Sequence, residues 1–392
     1  MFGAHQNNKN TYLIQTKGSG ILNDQHSIVI IGAGPAGIGL GVALQNYGIN
    51  DFLILEKETI GHSFESWNPE THFISPSFTT NGFGAPDLNA ITPDTSPAYS
   101  ISSEHPSGKA YASYLRAVSK LSHLPVLQHT GVDRIFPVED HFELILSSSQ
   151  ILEAQYVFVG IGDFSYPYRP DIPGNNYGIH YADIQTYNRF SDQMQTVIGG
   201  NEAGFDVAIN LAKRGIPTTI YTTESGLESK AADPSKRLST FTIGRYLKYA
   251  DLIHVESHKQ LVAIKKKPTA FKLTFADSST AISQTKPIFA TGFAASQSPL
   301  VSSLFDIRAN RPLLTAMDES TKSPNVFLIG PQVTHDDVVL CYIYKYRQRF
   351  APLAEELLAR LRMTVNPQVT QQYKKANMFL DDFDDCDVNC QC

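Results

Sequence analysis

Apolar positions come in short runs that alternate with glycine-rich turns and helical patterns along the chain. The first run, residues 27–31, leads into a turn at 32–37. Residues 38–47 then have helical periodicity and end at Gly48, a residue type that commonly terminates helices. A second apolar run follows at 51–55. Strand, turn, helix and strand in this order predict a βαβ unit.

The same order recurs much later in the chain. An apolar run at 195–198 leads into a second glycine-rich turn at 199–204, and a helical pattern extends to about residue 214. A strand at 218–221 completes this second βαβ unit. Because the two units lie far apart and each has its own turn, the pattern indicates a duplicated architecture rather than a short repeat.

The predicted fold class is α/β, with two Rossmann-like dinucleotide-binding domains, the second inserted into the first. A serine-, threonine- and proline-rich segment at 71–106 is long enough to be functional or to wrap a ligand. Further predicted elements are helices at 108–121 and 338–361 and strands at 126–127, 133–136, 142–146, 155–160, 262–264, 271–275, 287–293 and 325–329. The predicted boundaries are an N-terminal extension at 1–24, a split first domain at 25–165 and 286–365, an inserted domain at 166–285, and an acidic C-terminal tail at 366–392.

The first turn has the full GxGxxG spacing. Gly32 permits the tight turn, and Gly34 has no Cβ that would keep a pyrophosphate from the backbone. Gly37 lets the helix pack close to the strand, while the helix N-terminus offers free amides to phosphate groups. Glu56 ends the second strand, where an acidic residue binds a ribose diol. We therefore interpret the first, split domain as the FAD-binding domain.

The second turn has asparagine where the middle glycine of the motif stands, and its predicted cofactor-binding residues are Gly199, Gly200, Asn201, Glu202 and Gly204. A flavin needs an electron source, so we interpret the inserted domain as the site of a nicotinamide cofactor. Glu224 suits the ribose diol of NADH, whereas the hydroxyl groups of Thr222 and Ser225 could bind the phosphate of NADPH. The predicted cofactors are FAD with either NADPH or NADH.

Composition and charge exclude several classes of protein. The chain has 392 residues, of which 42% are hydrophobic and 18% charged, as is ordinary for a soluble globular protein. Its net charge of -6 gives no reason to expect nucleic-acid binding, and no apolar stretch is long enough for membrane insertion. The scarcity of cysteine before the C-terminus excludes a secreted disulfide scaffold and favours the cytoplasm. We expect a small-molecule substrate, and an oligomer is possible.

Besides the two glycine turns, the chain has four further motifs, at 56–57, 61–67, 77–84 and 290–293, and a cluster of cysteines at the C-terminus. With these motifs the chain, from about residue 26 onwards, resembles the flavin-containing monooxygenase superfamily. Within it the chain is most similar to compact bacterial monooxygenase-like and CzcO-type, cation-efflux-associated flavoproteins. The resemblance implies that Val132 meets the adenine and that Thr291 and Gly292 mark a crossover between the domains. It also implies these cofactor-binding residues: Pro35, Ala36, Lys57, Ser63, Phe64, Trp67, Gly330 and Pro331.

The function implied is that of an FAD-dependent monooxygenase that takes hydride from NAD(P)H. Two features depart from the relatives. The run Phe-x-Gly-x-x-x-His between the nucleotide sites is not intact, although His180 occupies its region. In addition, Gly330 is followed by Pro331 rather than by the aspartate of many FAD-dependent disulfide reductases. Asn81 and His180 are the predicted catalytic residues at the flavin face.

The cysteines suggest an alternative function. No cysteine precedes Cys341, which excludes a dithiol beside the flavin within either nucleotide domain, and we expect Cys341 to be a buried, inert thiol in a helix. The cysteines of the acidic tail have three interpretations, namely no function, binding of a soft metal, or redox exchange with the flavin: Cys386, Cys390 and Cys392. The alternative is therefore an NAD(P)H-dependent thiol, disulfide or metal-ion reductase, or a metal-handling flavoprotein.

Overall fold

The computed structural model describes residues 25–78, 86–99, 101, 103–231, 235–336 and 338–383, together with two N-terminal strands. Those strands, β1 (Ile14–Gln15) and β2 (Ile21–Leu22), pair antiparallel within the segment predicted as an extension. The rest of the described chain forms two α/β units, each around its own sheet. The second unit comprises residues 179–289, and the first unit comprises residues 25–165 and 295–383.

The first unit is built around a seven-stranded sheet. Its strands are β3 (Gln25–Ile31), β4 (Phe52–Leu55), β5 (Val126–Leu127), β6 (Val132–Val138), β7 (His141–Leu146), β8 (Ile151–Val159) and β19 (Val326–Leu328). Five strands run parallel in the order β5-β4-β3-β8-β19. The hairpin β6–β7 continues the sheet beside β8 in antiparallel orientation. Every residue of β4 is buried, as expected for a strand covered on both faces.

Helices cover this sheet. α1 (Pro35–Asn46) connects β3 to β4, and α2 (His62–Glu65) and α3 (Gly108–Leu121) lie between β4 and β5. Close packing requires glycine in α1, because a Cβ on Gly39 would lie 2.2 Å from the Phe350 ring of the C-terminal helix. The elements after the second unit are α6 (Pro299–Leu304), β17 (Ile307–Arg308), β18 (Arg311–Pro312), β20 (Thr334–His335), β21 (Val338–Val339), α7 (Ile343–Tyr346), α8 (Phe350–Arg360) and α9 (Pro367–Lys375).

The second unit repeats this plan. Its parallel sheet has the order β12-β11-β10-β16-β9 and consists of β9 (Ile179–His180), β10 (Gln195–Gly200), β11 (Thr218–Ser225), β12 (Ile253–Glu256) and β16 (Ile288–Phe289). Helices α4 (Glu202–Ala212) and α5 (Thr240–Tyr246) connect the first three strands in sequence from β10. A separate antiparallel sheet precedes β16 and consists of β13 (Leu261–Lys266), β14 (Phe271–Phe275) and β15 (Thr280–Ser283). The predicted fold class of two Rossmann-like units is confirmed.

The strand registers of the two units are equivalent. In the first unit the residue before the glycine turn, Ile31, pairs with Leu55 of β4. In the second unit the residue before the turn, Ile198, pairs with Tyr221 of β11. The two βαβ units can therefore be aligned residue by residue at their turns.

One predicted domain boundary is wrong. Strand β16 lies between β10 and β9 in the sheet of the second unit, whereas the prediction placed every residue from 286 onwards in the first domain. The chain crosses back after this strand instead. The crossover segments 166–168 and 291–294 run beside each other, since Tyr168 N–H donates to Gly292 O (2.9 Å) and Ala294 N–H donates to Tyr166 O (2.9 Å). Thr291 and Gly292 thus lie at the crossover, as expected.

The C-terminal helix begins later than predicted. Val338 and Val339 pair with β20 as strand β21, so the helical segment starts at Ile343 rather than at residue 338. Cys341 consequently lies outside the helix and is only partly buried, with its Sγ 2.8 Å from Ser235 Oγ. The expectation of a buried thiol within a helix is wrong, because two β-branched residues favour strand pairing here.

The predicted tail also begins too early. Residues 367–375 form α9, which packs on the first unit through the buried Tyr373. The Asn46 side-chain amide donates to the Tyr373 hydroxyl (3.0 Å). Further on, the Phe383 ring stacks on His335 with the ring centroids 4.2 Å apart. The chain therefore remains packed on the first unit as far as Phe383.

Candidate functional site

A cavity of about 860 Å³ lies between the two units. Its wall includes the first residues of two helices, Pro35 and Ala36 of α1 and Glu202 and Ala203 of α4. The volume is within the range of small-molecule and cofactor sites. In both units the carboxyl ends of parallel strands and the helix that follows meet near this cavity, which is where open α/β sheets bind ligands.

The backbone of the first glycine turn leaves room for an anion. Gly32 has a φ of +104°, and a Cβ there would lie 2.4 Å from the carbonyl oxygen of Gly160. A Cβ on Gly37 would lie 1.9 Å from Gly32 O, so α1 packs against the turn as closely as only glycine allows. At Gly34 a Cβ would meet nothing within 4 Å, and no side chain caps α1. This open face and the uncapped amides fit the pyrophosphate of a dinucleotide.

Glu56 lies beside this turn at the end of β4. One carboxylate oxygen accepts from Ala33 N–H (2.7 Å) and the other from Glu58 N–H (2.9 Å). Each carboxylate oxygen has a further lone pair, so the group can also accept from ribose hydroxyls. Thr130 N–H donates to Glu56 O (2.8 Å), which brings the start of β6 to the same end of the cavity. The residues there fit an adenosine ribose.

The second turn has the same close packing as the first. Gly199 has a φ of +115°, and a Cβ there would lie 2.3 Å from Ala290 O. A Cβ on Gly204 would lie 1.9 Å from Gly199 O. Asn201, which replaces the middle glycine, has a φ of -108° and makes no side-chain cap. The turn therefore accommodates asparagine without backbone strain and leaves the N-terminus of α4 uncapped.

The strand register identifies the counterpart of Glu56 in the second unit. Glu56 directly follows Leu55, the strand partner of the last residue before the first turn. Thr222 directly follows Tyr221, the strand partner of the last residue before the second turn. Thr222 is buried, and its hydroxyl donates to Glu224 O (2.5 Å). Glu224, whose side chain would suit the ribose diol of NADH, is exposed two residues beyond this position. No carboxylate therefore occupies the position that corresponds to Glu56.

Glu202 contacts protein partners in this structure. Its carboxylate accepts hydrogen bonds from Ser239 N–H and from the Thr242 hydroxyl, the latter at 2.6 Å. Glu202 and Thr242 both border the cavity. The carboxylate thus joins the N-terminus of α4 to that of α5, a contact that local sequence patterns do not indicate.

The predicted cofactor-binding residues divide into two groups. Those that border the cavity are Gly32, Gly34, Pro35, Ala36, Glu56, Lys57, Ser63, Phe64, Trp67, Val132, Glu202 and Pro331. The others are not part of its wall, and they are Gly37, Gly199, Gly200, Asn201, Gly204, Thr222, Ser225, Thr291, Gly292 and Gly330. The wall is thus formed mainly by the first unit.

His180 does not face the cavity, contrary to the prediction that it lies at the flavin face. Its side chain is fully buried, its Nε2 lies 3.0 Å from Gly292 O, and its Nδ1 accepts from Ala182 N–H (3.2 Å). These partners fix the neutral tautomer with the proton on Nε2. Burial lowers the pKa of His180 below its usual value. His180 therefore supports the crossover and has no free nitrogen for a substrate.

An acidic group on the wall was not predicted. Asp163 follows β8, and burial raises the pKa of its carboxyl group, partly offset by its own amide and the Gln332 side chain. Tyr181 and Tyr346 also border the cavity, and burial followed by the negative charge of Asp163 raises the pKa of both. The signal that could have found Asp163 is its position just beyond a central parallel strand.

Four predicted residues lie outside the described part of the chain. They are Asn81, one of the two predicted catalytic residues, and the tail cysteines Cys386, Cys390 and Cys392. Within the described residues there is no group of three or more His, Cys, Asp or Glu side chains placed to hold a metal ion. The same residues include no helix with the length and apolar character needed to cross a membrane.

Known proteins similar to this chain include reductases and monooxygenases. The uncharacterized oxidoreductase CzcO of Bacillus subtilis is 23% identical over 199 residues, which cover 49% of this chain and 53% of CzcO. The chain spans about half the length of the curated relatives it matches. The predicted resemblance to CzcO-type flavoproteins is confirmed.

Solved structures match a larger part of the chain. Bacillithiol disulfide reductase Bdr (YpdA) from Staphylococcus aureus has a TM-score of 0.69 at 19% identity, covering 86% of this chain and 99% of that one. A flavin-containing monooxygenase from Stenotrophomonas maltophilia has a TM-score of 0.69 at 17% identity, with the same coverage. At these identities the match concerns the fold alone.

A family model described as pyridine nucleotide-disulphide oxidoreductase matches residues 29–330. This match includes both glycine turns and both crossover segments. It confirms the predicted oxidoreductase class and the predicted pairing of FAD with a nicotinamide nucleotide. The chain belongs to the pyridine nucleotide-disulphide oxidoreductase family.

Proposed function

We propose that the protein is an FAD-dependent enzyme that takes hydride from NADPH and oxygenates a small molecule, as a flavin monooxygenase does. The observation that carries the proposal is that α1 and α4 begin at the wall of one cavity. Hydride transfer requires the donor and acceptor atoms to approach to about 3–3.5 Å. A shared cavity supports direct transfer between nucleotides held at the two turns.

The residues at each end of the cavity suit different parts of FAD. The open face at Gly34 would receive the pyrophosphate, and Glu56 would accept hydrogen bonds from the ribose. Ser63, Phe64 and Trp67 would line the flavin end, where Phe64 and Trp67 pack with their ring centroids 5.0 Å apart. A bound flavin supplies hydride acceptance and oxygen activation, and the protein around it excludes water.

Oxygen is favoured over a disulfide as the electron acceptor because no thiol among the described residues borders the cavity. Within the described residues the one cysteine is Cys341, which is not part of the cavity wall. Its Sγ instead lies 2.8 Å from Ser235 Oγ of the second unit. Electrons held at the flavin therefore have no described dithiol to receive them.

The test is stopped-flow spectroscopy of the purified protein loaded with FAD. The flavin is first reduced anaerobically with NADPH and then mixed with oxygen. We expect a transient absorbance distinct from those of oxidised and reduced flavin, and product formation with one class of small molecules. If all NADPH consumed is recovered as hydrogen peroxide with every compound tried, the monooxygenase assignment fails.

NADPH is favoured over NADH by the residue at the position equivalent to Glu56. Thr222 there has no charge, whereas a carboxylate at this position would repel a 2′-phosphate. Lys236 and Arg237 are exposed in the loop that returns to the turn, where Leu238 N–H donates to Gly226 O (3.0 Å). We expect Thr222→Asp to shift the ratio of kcat/KM for NADPH over NADH toward NADH by at least about tenfold. An unchanged ratio would remove this assignment, and Thr223→Asp, at an exposed neighbouring position, is the control.

A second candidate is a reductase for a disulfide or metal ion. It is supported by the similarity to bacillithiol disulfide reductase and by the C-terminal cysteines. The chain is packed on the first unit as far as Phe383, just before those cysteines. If this candidate is correct, replacing Cys386, Cys390 and Cys392 by serine abolishes turnover while NADPH still reduces the flavin. Unchanged turnover with a disulfide or soft metal ion excludes the tail from the reaction.

A further inference from the structure

A short segment of the first unit, residues 67–73, reaches across to the second unit. Its two ends are held in the first unit by aromatic packing. The ring centroids of Trp67 and Phe73 are 5.2 Å apart, and that of Phe73 is 4.5 Å from Tyr111 of α3. Within the segment, Asn68 Oδ1 accepts from Glu70 N–H (2.9 Å), which fixes the backbone between the two aromatic residues. The segment is thus anchored in the first unit at both ends.

Three polar residues between these ends contact the second unit, and we call them the interunit clamp: Asn68, Glu70 and Thr71. The Asn68 side-chain amide donates to Ile184 O (3.0 Å), and Asn68 is buried. The Thr71 hydroxyl donates to Asp206 Oδ2 on α4 (3.1 Å). The clamp therefore contacts α4 and the chain that precedes β10.

The strongest contact of the clamp is an ion pair with the end of α4. The Arg214 guanidinium donates to both Glu70 oxygens, with nitrogen–oxygen distances of 2.6 and 3.1 Å. A third guanidinium nitrogen, Nε, donates to Asn188 Oδ1 (2.8 Å). The Arg214 and Glu70 side chains are 25% and 32% exposed, so solvent screens the pair only in part. A bidentate pair of this kind fixes orientation as well as distance.

The clamp and the second glycine turn act on the same helix. α4 begins at the turn, with Glu202 at the cavity, and Arg214 follows its last turn. Asn68, Thr71 and Asp206 themselves border the cavity. The two units are joined covalently only by the two crossover segments. Units joined in this way are expected to move relative to each other unless an interface holds them.

We propose that the interunit clamp is a positioning element for hydride transfer. It holds α4 in the orientation in which α1 and α4 both begin at one cavity, so the two nucleotides meet without rotation of the second unit. The proposal rests on the proposed function for its catalytic consequence. Its structural claim, a single interunit orientation set by Glu70 and Arg214, can be tested independently.

The kinetic test uses Arg214→Ala and Glu70→Ala. Misplacement of reacting groups by about 1 Å costs about 100-fold in rate, so we expect flavin reduction at saturating NADPH to slow by about 10- to 100-fold. The FAD content and the dissociation constant for NADPH should stay near those of the wild type. Lys213→Ala is the matched control, because Lys213 on the same helix end contacts Asn210 of its own helix (2.9 Å). The double variant Glu70→Arg with Arg214→Glu should recover most of the rate.

The structural test measures the distance between spin labels on the two units. Cysteines are introduced at the exposed Lys120 and Lys248 in protein whose four cysteines are replaced by serine. We expect one narrow distance distribution, and a broader or second population after Arg214→Ala. An unchanged distribution in that variant, or faster flavin reduction, overturns the proposal. If NADPH does not reduce the wild-type flavin, the proposed function fails, while the distance measurement still decides the role of the clamp.

Discussion

Gly34→Ala should weaken FAD binding while it leaves the stability of the apoprotein almost unchanged. Gly34 has φ and ψ of -81° and -170°, which alanine adopts freely, and its Cβ would meet no protein atom within 4 Å. The cost to the folded apoprotein should therefore stay within about 1 kcal/mol, the scale of changes at a helix N-cap. The added methyl group would instead fill the space beside the amides of α1 that we assign to the pyrophosphate.

The expected loss of FAD affinity is much larger. If the methyl group prevents one or two charge-assisted hydrogen bonds, each worth about 1.5–3 kcal/mol, the loss is about 3 kcal/mol. That corresponds to about a 100-fold rise in the dissociation constant, which fluorescence titration of the apoprotein with FAD would measure. Thermal unfolding of the apoprotein checks the fold. Gly244→Ala is the control, since its Cβ also meets nothing within 4 Å but it lies on α5 and is not part of the cavity wall. If Gly34→Ala binds FAD like the wild type, the first turn is not the pyrophosphate site.

Three further changes test other parts of the account. Gly39→Ala should lower the free energy of unfolding by about 1–3 kcal/mol in chemical denaturation, because its Cβ would lie 2.2 Å from the Phe350 ring, and a wild-type value would contradict the packing. Burial lowers the pKa of His180 below 6.5, so the unfolded chain binds a proton that the native protein does not, and wild-type stability should fall as the pH drops from 7 to 5. This fall should be smaller in His180→Gln, and an equal fall in both proteins would contradict the assignment. The Arg360 side chain lowers the pKa of Glu319, so Glu319→Gln should cost about 2 kcal/mol at pH 7 and progressively less as the pH falls below 4.5, where the unfolded wild-type chain takes up a proton at this residue.

Local patterns were sufficient to predict the two βαβ units. A glycine turn with an apolar run before it and a helical pattern after it depends on neighbouring residues only. Both helices are present, although α1 begins at Pro35 and α4 at Glu202, within the predicted turns. The helix predicted at 108–121 has those bounds as α3 for the same reason. The fold class could therefore be derived without knowledge of any contact between distant residues.

Features that depend on contacts between distant residues could not be predicted. Strand β16 belongs to the second unit because it pairs with β9 and β10, and nothing in its own residues states this. Thr222 is recognised as the counterpart of Glu56 only through the strand register, whereas the sequence drew attention to the nearby Glu224. Histidine is a common catalytic residue, but His180 is buried and contacts Gly292 at the crossover.

Polar residues at the cavity and at the contact between the two units illustrate the same limit. Asp163, Glu70 and Arg214 belong to no recognisable sequence motif. The role of each depends on the groups that the fold brings near it. Charged residues in loops are common on protein surfaces, so sequence alone does not distinguish these from solvated ones. The glycine turns are different, because the spacing of their glycines is itself sufficient to predict the tight turn and the close packing of helix on strand.

The central claim is that one cavity brings FAD and NADPH together. It is tested most directly by recording the absorption spectrum of the purified, FAD-loaded protein during anaerobic addition of NADPH and, separately, NADH. The account predicts that the flavin absorbance is bleached by one equivalent of NADPH, and faster than by NADH. Protein that retains no FAD, or FAD that neither nucleotide bleaches, would contradict it.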